Sequence, residues 1–227
     1  MSSKTQTEKP ATSLSAQPSA KRLVHFQALV THDRRFESFG ASLAGMDEAG
    51  RGPLFGPVIA ACVILPGDPL FPWMDDSKKL SALRREELYD QIQEHALFVG
   101  VGEASPQEID NHNILNATRM AMERAAGKAP ATLCLVDAVS GLKLPFPIRA
   151  IIRGDAASYH IAAASVIAKV TRDRRMTALA KQYPQYGLES NMGYGTAVHI
   201  KALREFGPMP EHRMTFIQKF LKEETVP

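Results

Sequence analysis

The sequence predicts an α/β fold with a mixed central β-sheet flanked by helices, and two observations support this prediction. Apolar runs of strand length alternate along the chain with longer segments whose apolar residues recur at helical spacing. Turn signals separate these segments, and the first is Gly50-Arg51-Gly52-Pro53. Such an alternation is typical of a sheet with helices packed over it.

Five segments are predicted to form the strands of this sheet. Residues 43–47 end just before the first turn signal, and residues 58–65 are apolar at nearly every position. The remaining strands are predicted at residues 98–103, 133–137 and 148–153.

Helices are predicted in the intervals between these strands and after the last one. Residues 81–96 carry apolar side chains at helical spacing, with charges elsewhere. Ser105 to Glu108 predicts a helix start, with Ser as N-cap, Pro at the first helical position and Glu closing a capping box. Further helices are predicted at residues 113–126, 161–180, 196–206 and 215–221.

The N-terminal segment, residues 1–40, is predicted to be a disordered or poorly ordered tail, and the folded domain is placed at residues 41–227. Residues 1–22 contain one Leu and no aromatic residue, so they cannot bury enough apolar area to offset their ordering entropy. Residues 23–40 are treated as transitional. A secretory signal is disfavoured because no apolar core is present, and a transit peptide is a weaker alternative.

The charge distribution limits what the basic composition can indicate. The net charge is +3, but residues 1–40 hold six of the 27 basic and three of the 24 acidic residues, which leaves 21 of each sign in residues 41–227. An argument for nucleic-acid binding must therefore rest on a local site and not on the overall charge.

Apolar content and cysteine usage indicate a cytoplasmic protein without a membrane span. No run approaches the roughly 18 apolar residues that a spanning helix needs. Cys62 and Cys134 lie inside aliphatic runs, which is typical of small buried thiols in a reducing compartment. A disulfide between them is the less favoured alternative.

Four carboxylates lie where predicted strands end: Asp47 and Glu48, Asp137, and Asp155. If these strands are neighbours, the acids converge at one side of the sheet, where open α/β sheets place their sites. Like charges at close range raise each other's pKa, and a bound divalent cation relieves the repulsion. Carboxylate oxygens favour Mg²⁺ or Mn²⁺, and two such ions can promote phosphodiester hydrolysis.

Two considerations weaken a metal site that rests on the pattern alone. Neighbouring strand residues point to opposite faces, so Asp47 and Glu48 share a metal only if the backbone bends there. Acids also cap helices, and Asp155 with Ser158 could simply begin the following helix. The pattern by itself leaves both interpretations open.

Residues 45–53, Gly45-Met46-Asp47-Glu48-Ala49-Gly50-Arg51-Gly52-Pro53, resemble the opening signature of type 2 ribonucleases H, specifically bacterial ribonuclease HII. Further motifs that resemble this family follow in order at residues 76–81, 108–115, 136–137, 154–155, 163–173, 183–187 and 193–196. Together they extend over about residues 43 to 220.

The resemblance implies a ribonuclease H-like fold with a C-terminal helical extension. It also implies an endoribonuclease that hydrolyses the RNA strand of RNA–DNA hybrids and cuts 5′ to single ribonucleotides in duplex DNA. Two Mn²⁺ or Mg²⁺ ions would be held by Asp47, Glu48, Asp137 and Asp155, the four acids at the strand ends. A monomer is expected, with such duplexes as its partners.

The resemblance also assigns substrate contacts. Gly50, Arg51 and Gly52 would recognise the 2′-hydroxyl that separates RNA from DNA, since glycines let backbone groups approach a sugar closely. Tyr194 would pack against the sugar at the RNA–DNA junction. Without the resemblance, a tight turn and an ordinary loop tyrosine are the simpler interpretations.

Basic residues in the matching motifs are expected to contact phosphates. These are Lys78, with its neighbour Lys79, together with Lys169 and Arg172, while Ser165 offers a hydroxyl. Solvated surface charge is the alternative, and it is preferred for Arg84, Arg85, Arg174 and Arg175. Lys169 and Asp173 are four residues apart and could form a helical ion pair instead.

Two positions depart from the family pattern, and two other functions are weighed. Ala138 stands where the family often has Gly, and Met192 stands where it often has Lys, which bears on substrate affinity. Another two-metal nuclease of the superfamily, such as a junction resolvase or ribonuclease HIII, is one alternative. A non-catalytic hybrid-binding protein is the other, although it would be expected to lack at least one of the four acids.

Overall fold

The computed structural model describes residues 17–36 and 42–221. The strands are β1 (Leu43–Ala49), β2 (Val58–Ile64), β3 (Phe98–Ala104), β4 (Leu133–Asp137) and β5 (Ile148–Ile151). The helices are α1 (Ala20–Arg34), α2 (Ala82–His95), α3 (Pro106–Ala126), α4 (Tyr159–Gln182), α5 (Leu188–Asn191), α6 (Ala197–Phe206) and α7 (Met214–Leu221). Short 3₁₀ turns lie at Ser77–Lys79, Gly154–Ala156 and Pro184–Tyr186.

The five strands form one mixed sheet in the order β3-β2-β1-β4-β5, which confirms the predicted fold class. β1 pairs antiparallel with β2 and parallel with β4, so it occupies the centre of the sheet. β2 pairs antiparallel with β3, and β4 pairs parallel with β5. Because β1 and β4 are parallel neighbours, their carboxyl ends lie at the same edge of the sheet, and so do Asp47 and Asp137.

The sequence places Asp47 and Asp155 at the ends of strands, and the structure differs from this prediction at both residues. β1 does not stop at Asp47, because its antiparallel pairing with β2 continues through Ala49 opposite Ile59. β5 ends at Ile151 and not at residue 153, where Arg153 takes a left-handed conformation (φ 55°). Asp155 is therefore carried by the 3₁₀ turn Gly154–Ala156 and not by a strand.

Helices cover both faces of the sheet. α4 lies over β1, and Gly45 permits this close approach, since a Cβ there would stand 2.0 Å from the backbone carbon of His160. The alanine-rich face of α4 joins β2 and α2 in one apolar core. α3 packs on the opposite face against β2 and β3 in a second core. Each face of the sheet is thus packed against helices, and this packing positions the residues at the strand ends.

The N-terminal segment differs from the prediction of a poorly ordered tail through residue 40. Residues 20–34 form α1, which packs on α4. Leu29 is buried, and Phe26 and Val30 pack beside it. Residues three and four apart lie on one face of a helix, so these three side chains give α1 a small apolar face. Asp33 anchors the helix by accepting hydrogen bonds from Ser158 Oγ (3.0 Å) and the backbone N–H of His160 (2.9 Å). Residues 1–16 and 37–41 lie outside the described part of the chain.

The helix start predicted at Ser105 is confirmed. Ser105 Oγ accepts from the backbone N–H of Glu108 (3.2 Å), and the Glu108 carboxylate accepts from the N–H of Ser105 (2.9 Å). α3 is interrupted at Asn113, whose φ of 63° breaks the helical path. The Asn113 side chain then accepts from the N–H groups of Leu115 and Asn116 and caps the second half.

The C-terminal helices form the predicted extension, and this extension packs on the segment that joins β1 to β2. Phe55 lies at the centre of this contact, buried against Tyr186 and Leu188. Phe55 and His212 also form an isolated antiparallel bridge. The connection after β1 is therefore held by residues that lie far along the chain, in the C-terminal helices.

Both cysteines are buried free thiols, as predicted. Contact with the Cys62 thiol, together with burial, raises the pKa of the Cys134 thiol, so it is not a reactive thiolate. None of the helices described is both long enough and apolar enough to cross a membrane.

Candidate active site

One cavity of about 450 Å³ brings together residues from several of the predicted site motifs. Asp47 and Glu48 of β1 form one side of it, and the following segment Gly50–Gly52 forms another. The cavity is also lined by Ser77, Lys78, Arg85, Lys169, Arg172 and Tyr194. Carboxylates and ribose-recognition candidates therefore face the same space.

Asp47 is the most buried of the four acids, with 5% of its surface exposed. Burial raises its pKa well above the usual value, and the charge of Glu48 raises it further. The charges of Asp137 and Asp155 add to this shift. The four carboxylates thus share one electrostatic environment and repel one another, as the pattern of strand-end acids predicts.

Glu48 faces the same cavity as Asp47 although the two are strand neighbours. Its Oε1 accepts from Arg51 Nη1 at 3.3 Å. Its Oε2 is buried and has no hydrogen-bond partner among the residues described. Burial raises the pKa of this carboxyl, and Arg51 partly opposes the rise. A buried acceptor without a partner costs about 1–3 kcal/mol, so this oxygen is available for a ligand.

Asp137 and Asp155 are linked through the turn after β5. Asp137 Oδ1 accepts from the backbone N–H of Gly154 at 2.7 Å, next to Asp155. A Cβ at Gly154 would stand 2.5 Å from Ile161 Cδ1, so a larger residue here would require the Ile161 side chain to move. Burial raises the pKa of Asp137, and the charge of Asp155 adds to this. Asp155 Oδ2 accepts from Lys78 Nζ at 3.0 Å.

These four side chains fit divalent cations by their chemistry. All of their donors are carboxylate oxygens, which are hard ligands, and one of them is the unpartnered Glu48 Oε2. Within residues 17–36 and 42–221, no group of three or more acidic, His or Cys side chains has the arrangement of a ready-made metal site. Lys78 and Arg51 neutralise Asp155 and Glu48 in this arrangement.

Two buried arginines hold the segment after β1, and only one of them lies in a predicted motif. Arg213 is fully buried and donates to the carbonyl oxygens of Gly50 (2.6 Å), Arg51 (2.9 Å) and Gly56 (2.9 Å). Burial lowers its pKa to about 9, and the charge of Arg172 adds to this effect. Arg213 is absent from the residues predicted for the site, because a single Arg at a helix start carries no signal of its contacts.

Arg172 was predicted to contact a phosphate, and its surroundings differ from that prediction. It is 1% exposed and donates to the carbonyl oxygens of Pro57 (3.2 Å), Met192 (3.1 Å) and Phe55 (3.2 Å). Its guanidinium is therefore committed to the backbone beneath the cavity. Gly50 packs directly on it, since a Cβ there would stand 2.0 Å from Arg172 Nε.

Tyr194 lies beside the glycine segment, with 51% of its surface exposed. A Cβ on Gly52 would meet the Tyr194 ring at 3.5 Å. Gly193 brings the ring here with φ 85°, where a side chain would stand 2.7 Å from the carbonyl oxygen of Phe55. The structure thus brings two of the predicted sugar contacts together.

The other residues predicted to contact phosphates are Lys78, Lys169 and Ser165, and they differ in exposure and in hydrogen-bond partners. Lys78 has 74% of its side chain exposed. Lys169 pairs with Asp173 at 2.6 Å, the alternative that its spacing allowed. Ser165 is buried, and its Oγ accepts from the backbone N–H of Ser77 (3.2 Å), so it supports the turn that carries Lys78.

Arg85, for which solvated surface charge was the preferred interpretation, lines the cavity and supports the same turn. Its Nη1 donates to the carbonyl oxygens of Ser77 (2.8 Å) and Leu80 (2.6 Å). The prediction of solvated surface charge is therefore wrong for Arg85.

The two departures from the family pattern share a backbone property. Ala138 has φ 45° and Met192 has φ 47°. Glycine adopts this left-handed region without strain, whereas a side chain makes it costly. At both positions this chain therefore carries a side chain where the backbone conformation favours glycine.

A mixed sheet whose acids share one electrostatic environment, beside a cavity lined by basic residues, fits the class of metal-dependent nucleases with a ribonuclease H-like fold. Comparison with known proteins agrees. The family model described as ribonuclease HII matches residues 44–220. The ribonuclease HII of Geobacillus kaustophilus is 50% identical over 194 residues, covering 84% of this chain and 74% of that protein.

Solved structures support the same fold. The ribonuclease H2 of Pyrococcus horikoshii superposes with a TM-score of 0.68 at 26% identity, covering 79% of this chain and 97% of that one. Bst-RNase HIII in complex with Mn²⁺ superposes with a TM-score of 0.59 at 18% identity, covering 80% and 69%. The chain belongs to the ribonuclease HII family, whose members are metal-dependent hydrolases acting on the RNA of RNA–DNA hybrids.

Proposed function

We propose that this protein cuts the phosphodiester bond 5′ to a ribonucleotide embedded in duplex DNA, and also cleaves the RNA strand of longer hybrids. The observation that carries this proposal is the meeting of two features at one cavity. The acids Asp47 and Glu48 line it together with Gly50–Gly52 and Tyr194. Hydrolytic groups and groups suited to testing a sugar would thus face the same nucleotide of a bound duplex.

Asp47, Glu48, Asp137 and Asp155 are the residues that would hold two Mg²⁺ or Mn²⁺ ions. When bound, such ions lower the pKa of water and stabilise charge on a leaving oxygen. Asp47 would be one of these ligands, and the charges of the other three acids all raise its pKa. Glu48 offers the buried Oε2, and Asp137 keeps one carboxylate oxygen fixed by Gly154.

When substrate binds, Lys78 and Arg51 are suited to leave their carboxylate partners, Asp155 and Glu48, and to contact the substrate instead. Each pairs with one of the acids, and each has a substantial exposed fraction, 74% for Lys78 and 45% for Arg51. The carboxylate partners are buried, with 9% of the Asp155 side chain and 11% of the Glu48 side chain exposed, so each pair would be exchanged for another cation at the acid and not simply broken. Lys78 could then contact a phosphate, and Arg51 could approach the sugar.

Recognition of the ribose is assigned to Gly50–Gly52 and Tyr194. The Gly50 and Arg51 carbonyl oxygens are already used by Arg213, so the segment has a defined conformation before substrate binds. Such preorganisation favours reading a hydroxyl with backbone groups. The half-exposed Tyr194 ring beside Gly52 offers a flat surface for the neighbouring sugar.

A duplex with one ribonucleotide tests the proposal. The full chain is incubated with it in Mg²⁺ or Mn²⁺, with and without a chelator, and the products are mapped to the nucleotide. We expect one cut on the 5′ side of the ribonucleotide, with 3′-hydroxyl and 5′-phosphate ends, and none with chelator or with an all-DNA duplex. Cleavage of the all-DNA duplex, or cleavage that persists in chelator, would contradict it.

A further inference from the structure

A second cavity, of about 500 Å³, lies between α1 and the turn Ser77–Lys79. It is lined by Ser19, Lys21, Arg22, His25, Asp75 and Lys79. Four of these six side chains are basic or can become so. We call Lys21, Arg22, His25 and Lys79 the α1 patch.

Asp75 pairs with side chains of the α1 patch, but this one carboxylate does not neutralise their total positive charge. This carboxylate is 7% exposed and accepts from Arg22 Nη1 (3.1 Å) and pairs with His25 Nε2 (3.0 Å). Lys79 Nζ lies farther away, at 3.7 Å. Lys21 is exposed and forms no ion pair among the described residues. Lys21, Arg22 and Lys79 are permanent cations and Asp75 is the one carboxylate among the lining residues, so the cavity carries an excess positive charge.

The α1 patch is continuous with the active-site cavity through the turn Ser77–Lys79. Ser77 and Lys78 line the active-site cavity, and Lys79 lines the second one. Lys78 and Lys79 are consecutive residues, so their Cα atoms lie about 3.8 Å apart and the two cavities adjoin at this turn. We expect the backbone of a duplex held at the acids to pass the α1 patch beside the cut.

We propose that the α1 patch binds the sugar–phosphate backbone of the substrate duplex beside the cleavage position. This inference rests on the proposed function, and it adds a contact supplied by α1. Arg22 is held by Asp75 and lies over the Trp73 ring (5.5 Å), which keeps the guanidinium in place. Lys21 and Lys79 offer exposed ammonium groups to the phosphates. α1 precedes residues 44–220, so Lys21, Arg22 and His25 lie outside the segment that the family model covers, whereas Asp75 and Lys79 lie within it.

Duplex binding by the variant K21Q/K79Q tests the proposal. Both side chains are exposed, so the fold should be retained, and Lys128→Gln in the loop after α3 is the matched control. Binding to a labelled hybrid is measured in chelator over a series of salt concentrations. We expect several-fold weaker binding. The slope of log affinity against log salt should be smaller by about 0.9 for each phosphate that the variant no longer binds.

The length of the duplex provides a second readout. A hybrid too short to reach the α1 patch should bind wild type and K21Q/K79Q equally, and the difference should appear as the duplex is extended on one side. Wild-type affinity and slope in K21Q/K79Q, or an equal reduction in Lys128→Gln, would overturn the α1 patch. Failure of the proposed function is separate, because wild type would then bind the single-ribonucleotide duplex and leave it uncut. A wild-type protein that binds no duplex at all would overturn both.

Discussion

Arg213 Nη2 donates to the carbonyl oxygen of Gly50 at 2.6 Å, and this contact ties the C-terminal extension to the segment after β1. The same guanidinium also reaches the carbonyls of Arg51 and Gly56. Three backbone acceptors thus depend on one buried side chain. The extension therefore supports the proposed ribose-binding segment directly.

Replacing Arg213 with Lys should reduce both stability and ribonucleotide cleavage. A lysine ammonium cannot reproduce three fixed donors, and each carbonyl left without a partner costs about 1–3 kcal/mol. Urea unfolding measures the stability, and kcat/KM on a single-ribonucleotide duplex measures the function. Leu88→Ala is the control, because it removes buried packing between α2 and α4, away from Gly50–Gly52. The interpretation fails if both variants lose the same activity for the same decrease in stability.

Asp137→Asn should abolish cleavage while leaving the fold intact. An amide oxygen can still accept from the N–H of Gly154, but the metal-binding charge is removed. We expect kcat to fall by about 10³-fold or more, equivalent to roughly 4 kcal/mol of barrier. The melting temperature should be unchanged or higher, because one member of a repelling cluster is removed. Asp90→Asn on the surface of α2 is the control, and near-wild-type activity of Asp137→Asn would refute the assignment.

Tyr194→Ala should impair cleavage of single-ribonucleotide duplexes more than cleavage of long hybrids. Only the former presents an RNA–DNA junction at every cut, and the exposed ring lies beside Gly52. A decrease of about tenfold, or 1.4 kcal/mol, is expected on the junction substrate. Tyr194→Phe keeps the ring and should retain most activity. Equal decreases on both substrates would remove Tyr194 from this role.

The buried pair His199 and His212 should make the protein less stable as the pH falls below about 6.5. Their Nε2 atoms lie 3.2 Å apart, and burial lowers the pKa of His212 to about 4 and also lowers that of His199. The unfolded chain therefore binds protons between these values that the folded protein does not. The free energy of unfolding should fall with decreasing pH across this window, by up to about 1.4 kcal/mol per pH unit for each proton.

Urea unfolding at neutral pH and near pH 5 checks this expectation. His212→Asn removes one titrating group, so its stability should depend less steeply on pH than that of wild type. Parallel curves for the two proteins would contradict the assignment of this dependence to the pair.

The α/β class, the strands and most helices could be predicted from the chain alone, because periodicity and capping are local properties. The capping box at Ser105 and Glu108 is one example, with both hydrogen bonds present. Helix α1 could not be predicted from the sequence, because its composition is polar and its stability comes from packing against α4. Leu29 and Asp33 become favourable only when α4 lies against them.

The residue types of the candidate site could be predicted from the chain: four acids, a glycine segment and a tyrosine, in motifs that resemble one family. Which neighbouring polar side chains are hydrogen-bonded to other partners could be seen only in the folded protein. Arg172 and Ser165 are turned to backbone groups, whereas Arg85 and Arg213 support the site without any motif to indicate it. The physical reason is that a polar side chain takes its role from the partners it must satisfy when buried. Those partners are set by packing between segments far apart in the chain.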